Sequence, residues 1–236
     1  MFLRFVVAAA LTLLPIYVLL RFFYTRDVHR EPRSVLIGTF VRGVLIIVPI
    51  LLLGVILSLL WTASWGPWGN ALFLSFILAA LPEELSKLWV IAGYSAGQNC
   101  FDEPMDGLVY GATAALGFAA LENALYVFSG GWPVALTRAF TAVPMHAITG
   151  AILGYGVSRA RFDPGKPGGR IPAVLAAILV HGGYNTFLFA ADYTATEGTA
   201  SVSRLLSLIA GAGGILLIAA IWTLRTVRRL RREQLS

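Results

Sequence analysis

The sequence predicts an all-α fold, a polytopic membrane bundle of about seven transmembrane helices, and two observations carry this prediction. Apolar residues make up 58% of the 236-residue chain and charged residues 13%, whereas soluble domains average about 45–50% and about 25%. Most basic residues lie between long apolar runs, where they report membrane orientation rather than nucleic-acid binding. The composition excludes a water-soluble single-core protein, and the single cysteine, Cys100, excludes an internal disulfide.

Seven apolar runs are long enough to cross a membrane. A helix needs about 20 residues to span the hydrocarbon core, and a lone apolar segment in lipid must satisfy its own backbone hydrogen bonds. We predict the first run to be a retained helix rather than a signal peptide, because no A-x-A-like cleavage site precedes the Arg-rich stretch after it. The predicted helices are 2–23, 35–61, 70–97, 106–128, 134–158, 171–191 and 203–225.

The basic residues predict how these spans are oriented. Thirteen of the 18 Lys and Arg residues lie in segments 21–33, 159–170 and 225–232, which alternation over seven spans places on one side. The positive-inside rule then predicts the N-terminus outside and the C-terminus inside. The loops on the other side contain no Lys or Arg: 62–69, 129–133 and 192–202.

Short loops and the lack of an internal repeat predict a single domain. The longest connector, 159–170, is rich in Pro and Gly and is predicted to be a turn-rich link. We expect a multi-pass protein of the bacterial cytoplasmic membrane. Its one membrane domain, 1–236, comprises N-terminal spans 2–23 and 35–61, a motif-bearing core 70–191, a last span 203–225 and a basic cytoplasmic tail 226–236.

Ionisable side chains within the predicted spans indicate function. Each costs about 2.5–3.5 kcal/mol at membrane depth, and together they would exceed a typical folding stability of about 5–15 kcal/mol. We therefore expect them to face one another or a water-filled cavity. They are Arg42, Glu83, Glu84, Lys87, Glu122, Arg138, His146 and His181.

The third span places two carboxylates beside one ammonium. Glu83 and Lys87 are four residues apart, and Glu84 and Lys87 three, so the lysine reaches either carboxylate on a helix. Two adjacent carboxylates with one cation are not both cheaply ionised, which suits acid–base chemistry. Pro82 removes a backbone donor just before them and is expected to kink or interrupt the helix. A buried ion pair that fixes helix register is the structural alternative.

The fourth and fifth spans carry further polar groups. Glu122 and Asn123 follow a run of small residues that permits close helix approach, and both could instead serve only as interhelical hydrogen-bond partners. Arg138 is predicted to share a face with His146 and to neutralise Glu122. Gly150 and Gly154 follow His146 at steps of four and therefore share its helix face. The two glycines offer a smooth surface on which another helix packs.

The sixth span carries His181 and Asn185, which project together because they are four residues apart. Counted at 1.5 Å per residue from the span ends, Glu84, His146 and His181 fall within a few ångströms of the bilayer midplane. Glu, His and Asn side chains at one depth provide general bases and hydrogen-bond donors. This set is typical of a hydrolytic site.

At these residues the chain resembles the PrsW family of intramembrane proteases, which belongs with the CAAX-processing and bacteriocin-processing proteases in one superfamily. Glu83-Glu84-x-x-Lys87 is similar to an EExxK motif, and Phe118-x-x-x-Glu122-Asn123 to FxxxEN. The resemblance covers roughly residues 70–190. It also rests on His146 with Gly150, on His181-x-x-x-Asn185, similar to HxxxN, and on the acidic loop Asp102–Gly107.

The sequence departs from the CAAX-processing branch at two positions. That branch has an Arg five residues beyond its first Glu, where this chain has Lys87 at four, and a His at the position of Glu122. Specificity for prenylated C-termini is therefore not expected. The resemblance implies cleavage of a membrane-spanning protein substrate, as where family members cut membrane-bound anti-sigma factors, within a lipid bilayer and without nucleic acid.

We expect hydrolysis by water within the membrane. The general base is predicted to be a carboxylate of Glu83 or Glu84, helped by His146, and the oxyanion donors are predicted to be His181 and Asn185. No Ser with a paired base occurs in the motifs, which disfavours an acyl-enzyme. The supporting residues are Lys87, which holds a carboxylate ionised, Glu122 with Asn123, which order the cavity or share the base role, and Arg138.

The cofactor prediction favours none, with zinc as the alternative. Two His and a Glu form a recognised catalytic zinc set, with a further Glu as base. The zinc ligands would be Glu84, His146 and His181. Lys87 in the same pocket argues mildly against a divalent cation.

Two other function classes are compatible with the sequence. A proton-coupled transporter also uses carboxylates and histidines in the membrane, but many transporters show repeated halves, and none is evident here. A non-catalytic membrane scaffold is the third possibility. The intact paired Glu and both His weigh against it.

Overall fold

The computed structural model describes residues 2–61, 65–165, 168–196 and 201–236, and within these ranges the chain is helical without any β-strand. The predicted all-α fold is confirmed. A π-helical segment, Phe73–Ala80, joins two of the helices. The helices are α1 (Phe2–Arg26), α2 (Arg33–Leu45), α3 (Ile47–Ser58), α4 (Gly66–Leu72), α5 (Leu81–Gly93), α6 (Pro104–Phe140), α7 (Ala142–Phe162), α8 (Arg170–Thr196) and α9 (Val202–Leu235).

Five described helical stretches are long and apolar enough to cross a membrane, and a sixth is added if a bent pair counts as one span. The bent pair is Gly130–Phe140 with Ala142–Phe162, which meet at 41°. The predicted span 70–97 falls on α4, the π-helical segment and α5, and each of these pieces is too short to qualify alone. The chain is a multi-pass membrane protein, while the count of seven and the orientation of the termini stay predictions.

Several helix boundaries differ from the predicted ones. The predicted span 35–61 is divided at Ile46 into α2 and α3. The last helix continues to Leu235, so the basic residues of the predicted tail 226–236 extend α9. Large apolar side chains such as Leu52 and Phe128 remain exposed on the surface, as expected for helices that face lipid.

The core of the bundle is α6, which packs mainly on α7 and also on α1 and α2. Glycines allow the closest approach: Gly107 and Gly111 of α6 face Gly150 and Gly154 of α7, and a Cβ at Gly154 would overlap the carbonyl oxygen of Gly107. The prediction that Gly150 and Gly154 form a packing surface is confirmed. This contact brings the polar residues of α6 and α7 within reach of one another.

The chain turns back at the end of α6. Gly131 adopts a φ of +71°, which an L side chain rarely takes, and Pro133 follows two residues later. The turn separates the long first part of α6 from a short return segment that ends at Phe140. Arg138 lies on this segment and is thereby carried back towards Glu122 on the first part of the helix.

Candidate active site

The polar groups predicted to share one depth do meet. The consecutive helices α6, α7 and α8 each supply polar side chains to the cluster. Helix α5 supplies the two adjacent carboxylates and the ammonium. The π-helical segment ends one residue before α5, and Pro82 occupies the first turn of that helix, so both carboxylates lie where the helix begins. The buried members of the cluster are Glu83, Glu84, Lys87, Asn123, His146 and His181, and Glu122 is partly buried.

Lys87 lies at the centre of the cluster and is fully buried. Its Nζ donates to Glu84 Oε1 at 2.7 Å and to His146 Nδ1 at 2.9 Å, and lies 3.5 Å from Glu83 Oε2. The ring of Phe118 covers the ammonium at 4.7 Å from the ring centroid. One cation thus holds both carboxylates of α5 and one imidazole of α7 in a fixed arrangement.

His146 connects α5 to α6. Because the Lys87 ammonium can only donate, His146 Nδ1 must accept, and the ring proton lies on Nε2. Nε2–H then donates to Glu122 Oε2 at 2.8 Å. Phe118 lies edge-on to the His146 ring at 5.4 Å between centroids, so this ring is held on both nitrogens and against one face.

His181 approaches the carboxylates from the opposite side. Its Nδ1–H donates to Glu84 Oε1 at 2.7 Å, which leaves a lone pair on Nε2 at 3.9 Å from Glu83 Oε2. The rings of His146 and His181 lie 5.3 Å apart and nearly perpendicular. The Oε1 atom of Glu84 therefore accepts from two donors, whereas Glu83 Oε2 is buried and has no hydrogen-bond partner among the described residues.

Arg138 pairs with the two polar residues of the FxxxEN motif. Its Nη2 donates to Glu122 Oε2 at 2.6 Å and its Nε donates to Asn123 Oδ1 at 2.8 Å. The guanidinium lies 4.0 Å from the centroid of the Tyr126 ring. The prediction that Arg138 neutralises Glu122 is confirmed, and the pairing depends on the chain turning back at Gly131.

Asn185 is placed differently from the other predicted residues. It lies one helical turn after His181 on α8 and is partly exposed. In the described part of the chain its side chain makes no hydrogen bond to the cluster. Its amide is therefore available to an incoming group.

Comparison with known proteins identifies the family. A model of the PrsW family, described as intramembrane metalloprotease, matches residues 31–224. The chain belongs to the PrsW family of intramembrane proteases. No solved structure matches it.

Curated relatives support the same assignment. Protease PrsW of Geobacillus kaustophilus is 35% identical over 176 residues, which cover 74% of this chain and 76% of the relative. Protease PrsW of Bacillus subtilis is 35% identical over 73% of this chain and 78% of its own length. Protease PrsW of Clostridioides difficile is 32% identical over 75% and 77%. A PrsW family protease acts on membrane proteins in a lipid environment.

The donor set of this PrsW site fits a zinc ion in kind. Glu83, Glu84, His146 and His181 each offer one ligand atom, and these four atoms lie within 4.8 Å of one another. Carboxylate oxygens and imidazole nitrogens are ordinary zinc ligands. The Oε2 atoms of Glu83 and Glu84 have no hydrogen-bond partner in the described structure. The Lys87 ammonium lies among the same donors and would compete with a metal for them.

The contacts of the aromatic side chains were not assigned from the sequence. Phe118 was noted only as part of a motif, yet it covers both Lys87 and His146; its position four residues before Glu122 is the signal that could have revealed this. Arg42, which had no predicted partner, lies 3.6 Å from the centroid of the Tyr94 ring. Arg42 is exposed and lies outside the cluster. Its partners are the Tyr94 ring and the Gly38 carbonyl oxygen, to which its Nη1 donates at 3.1 Å.

Proposed function

We propose that this PrsW family protease is an endopeptidase that hydrolyses a peptide bond in or near the transmembrane segment of its substrate. The observation that carries the proposal is the buried cluster in which two carboxylates, an ammonium and two imidazoles meet at hydrogen-bond distance. Such a cluster both activates water and keeps it apart from lipid.

Glu83 is the proposed general base. Glu84 already accepts from Lys87 and His181 through one oxygen, while Glu83 Oε2 has no hydrogen bond and lies 3.9 Å from the lone pair of His181 Nε2. A water bound at about 2.8 Å from each of these atoms would bridge them. The Glu83 carboxylate takes a proton from this water as the water oxygen attacks the carbonyl carbon of the substrate. Glu83 then returns the proton to the leaving nitrogen.

The other residues of the cluster position Glu83 and the water. Lys87 and His181 fix Glu84, and His146 links Lys87 to Glu122, so the predicted help from His146 is exerted through these contacts. His181 and Asn185 were both predicted to donate to the tetrahedral oxyanion, a role worth about 2.7–4 kcal/mol in other hydrolases. Because the Nδ1–H of His181 already donates to Glu84, we propose Asn185 alone for this role. Its unengaged amide, one turn from His181, supports this assignment.

A zinc-dependent form of the same protease is the second candidate. It is favoured by the four donor atoms within 4.8 Å of one another and by the metalloprotease description of the family. Glu84, His146 and His181 would hold the ion, with Glu83 left as base. Bound zinc would polarise the scissile carbonyl and acidify water.

A chelator separates these two forms. Our proposal expects purified protein to hydrolyse substrate at an unchanged rate in a strong chelator, and the protein to contain no stoichiometric zinc by elemental analysis. Loss of hydrolysis in the chelator and its return with zinc would replace the metal-free mechanism by the zinc-dependent one.

Further features of the proposal rest on the family alone. We propose a membrane-bound anti-sigma factor as a substrate of the expected type, a superfamily relationship to CAAX-processing proteases, and residence in a bacterial cytoplasmic membrane. We also retain seven spans with the N-terminus outside and the C-terminus inside. Thirteen of 18 Lys and Arg residues in segments that alternation places on one side support this topology.

The deciding experiment is cleavage of a panel of single-span membrane proteins by purified wild type and variants. Glu83→Gln, Glu84→Gln and His181→Ala are each expected to reduce cleavage by about 10²- to 10⁴-fold. Glu233→Gln makes the same chemical change at an exposed residue of α9 and is expected to cleave as wild type does. Proton-coupled flux in proteoliposomes without any cleavage would favour a transporter, and cleavage that survives all three changes would refute the assigned residues.

A further inference from the structure

An open groove lies between α1 and α2, outside the active-site cluster. Both helices pack mainly on α6, so they leave a space between them whose floor is α6. The groove has a volume of about 470 Å³, within the range of about 300–1,000 Å³ that ligand sites occupy. Its walls belong to two of the stretches that are long and apolar enough to cross a membrane, Ala9–Arg26 and Arg33–Ser58, so the groove opens towards lipid.

Positive charge is concentrated at one end of this groove. Tyr17, Arg21 and Tyr24 share one face of α1 because they lie at steps of four and three, and Arg33 and Ile37 share one face of α2. The chain reverses between the two helices, so Arg21 near the end of α1 and Arg33 at the start of α2 lie at the same end of the groove. Both arginines therefore lie towards the end of a membrane-crossing stretch.

These cations have no counter-charge in the described part of the chain. Neither Arg21 nor Arg33 forms an ion pair or a side-chain hydrogen bond there, and both are exposed. A third guanidinium, that of Arg30, lies 5.7 Å from the centroid of the Tyr24 ring, which lines the same end. Glu31 is buried and accepts a hydrogen bond from a tyrosine of α6, so it does not neutralise them. Cations that converge without an anion repel one another, and this end of the groove favours an anionic ligand.

The rest of the groove is mainly apolar. Leu20 of α1 and Ile37 and Phe40 of α2 supply hydrocarbon and aromatic surface to its walls. The floor includes Thr113 of α6, but its hydroxyl donates to the carbonyl oxygen of Val109 at 2.7 Å and needs no further partner. A matching ligand therefore carries negative charge at one end and an apolar chain at the other.

We propose that this groove binds an anionic phospholipid, with its phosphate between Arg21 and Arg33 and one acyl chain along the apolar walls. Guanidinium groups bind phosphate through paired hydrogen bonds, and basic pockets between transmembrane helices bind anionic headgroups. The order of the groove matches that of a lipid, because Phe40 lies seven residues, about 10 Å, along α2 from Arg33. The bound lipid fills the space between α1 and α2 and holds both against α6. This site is separate from the proposed protease chemistry.

The test compares two lipids on the purified full-length chain in detergent. Phosphatidylglycerol and phosphatidylcholine with the same acyl chains are titrated, and native mass spectrometry counts bound lipid while thermal unfolding reports stabilisation. We expect one phosphatidylglycerol to bind saturably and raise the unfolding temperature, and phosphatidylcholine to bind more weakly. Arg21→Gln combined with Arg33→Gln should weaken phosphatidylglycerol binding about tenfold. Arg225→Gln combined with Arg232→Gln removes two exposed charges that do not line the groove and should bind as wild type.

A second pair of variants separates a groove site from attraction to bare surface charge. Ile37 is 63% exposed, so Ile37→Trp leaves the core intact, but its ring occupies the space of the acyl chain and should weaken binding about tenfold. Leu206→Trp, at a 61% exposed position of α9, is the control. Equal binding of the two lipids, or either groove variant binding as its control does, would refute the site.

Two further ligands identify any other occupant. Inorganic phosphate that stabilises the chain as much as phosphatidylglycerol does would assign the arginines to free phosphate and overturn the lipid proposal. A single-span peptide with acidic residues beside its apolar segment is the second probe. Binding of this peptide at the groove without binding of phosphatidylglycerol would make the groove a protein-docking surface and would equally overturn the proposal.

Discussion

Replacement of Lys87 by methionine tests the organisation of the active-site cluster. Methionine is unbranched, like lysine, and remains apolar in the buried position, but it removes the ammonium that donates to Glu84 and to His146. Glu83 Oε2, 3.5 Å away, loses the same counter-charge. The change therefore leaves two buried carboxylates and an imidazole nitrogen without their common donor.

The expected magnitude follows from this loss. Removal of one partner of a buried ion pair costs about 3–5 kcal/mol, because the remaining charge stays buried and uncompensated. The unfolding equilibrium constant should rise by about 10²- to 10⁴-fold, since about 1.4 kcal/mol corresponds to a factor of ten. For a chain of this length the midpoint of thermal unfolding should fall by about 6–20 °C.

A double variant separates electrostatics from packing. Glu84→Gln in the Lys87→Met background removes one of the uncompensated charges while it keeps the shape of the side chain. The two changes are in direct contact and should couple, so that the double variant is more stable than the sum of the single changes by about 1–3 kcal/mol. Purely additive effects would indicate that Lys87 contributes through packing alone.

The assay is thermal unfolding in detergent, followed by tryptophan fluorescence at constant pH. Arg204→Gln removes a cation from an exposed position of α9 and should change the free energy of unfolding by no more than about 0.5 kcal/mol. If Lys87→Met unfolds at the same temperature as this control, then Lys87 is not the counter-ion of the cluster and the reasoning fails.

Two further predictions concern packing and titration. Gly154→Ala should destabilise the protein by about 1–3 kcal/mol, because the new Cβ would overlap the Gly107 carbonyl and push α6 away from α7. The control, Gly213→Ala, has open space around it and should stabilise α9 by about 0.5–1 kcal/mol. Thermal unfolding measures both, and equal effects would contradict the close helix contact. Burial raises the pKa of the Cys100 thiol above its usual range, so a smaller fraction of the thiol is ionised at neutral pH. The rate at which maleimide labels Cys100 should therefore rise at a higher pH than the rate at which it labels an exposed cysteine. Ser236→Cys in a Cys100→Ser background provides that exposed cysteine. Labelling with the same pH profile at both positions would show that Cys100 is not shielded.

Much of the helical architecture could be predicted from the sequence, because backbone hydrogen bonding in lipid leaves a long apolar segment few alternatives to a helix. Boundaries were harder to predict. The division at Ile46 and the π-helical Phe73–Ala80 occur within continuous apolar runs, where hydropathy gives no signal for a local change of helix geometry. The extension of α9 to Leu235 arose because basic residues are also good helix formers.

The grouping of the site could also be predicted, since charges at membrane depth must find partners or water. Glu84, His146 and His181 were expected at one depth and lie together. Their detailed connections could not be predicted. Sequence spacing relates residues only along one helix, so it reveals that Lys87 reaches Glu83 and Glu84 but not that it also donates to His146, 59 positions away.

The sequence by itself determined a helical membrane protein with acidic and imidazole groups inside its apolar segments, because hydropathy and the cost of charges in lipid act through residue type and spacing. Only the tertiary structure decided which of these groups bind one another. The contact of α6 with α7 at paired glycines and the reversal at Gly131 bring His146 and Arg138 to the same oxygen of Glu122. Such contacts depend on how helices pack, and packing follows from the shape of all the neighbouring surfaces rather than from any local pattern.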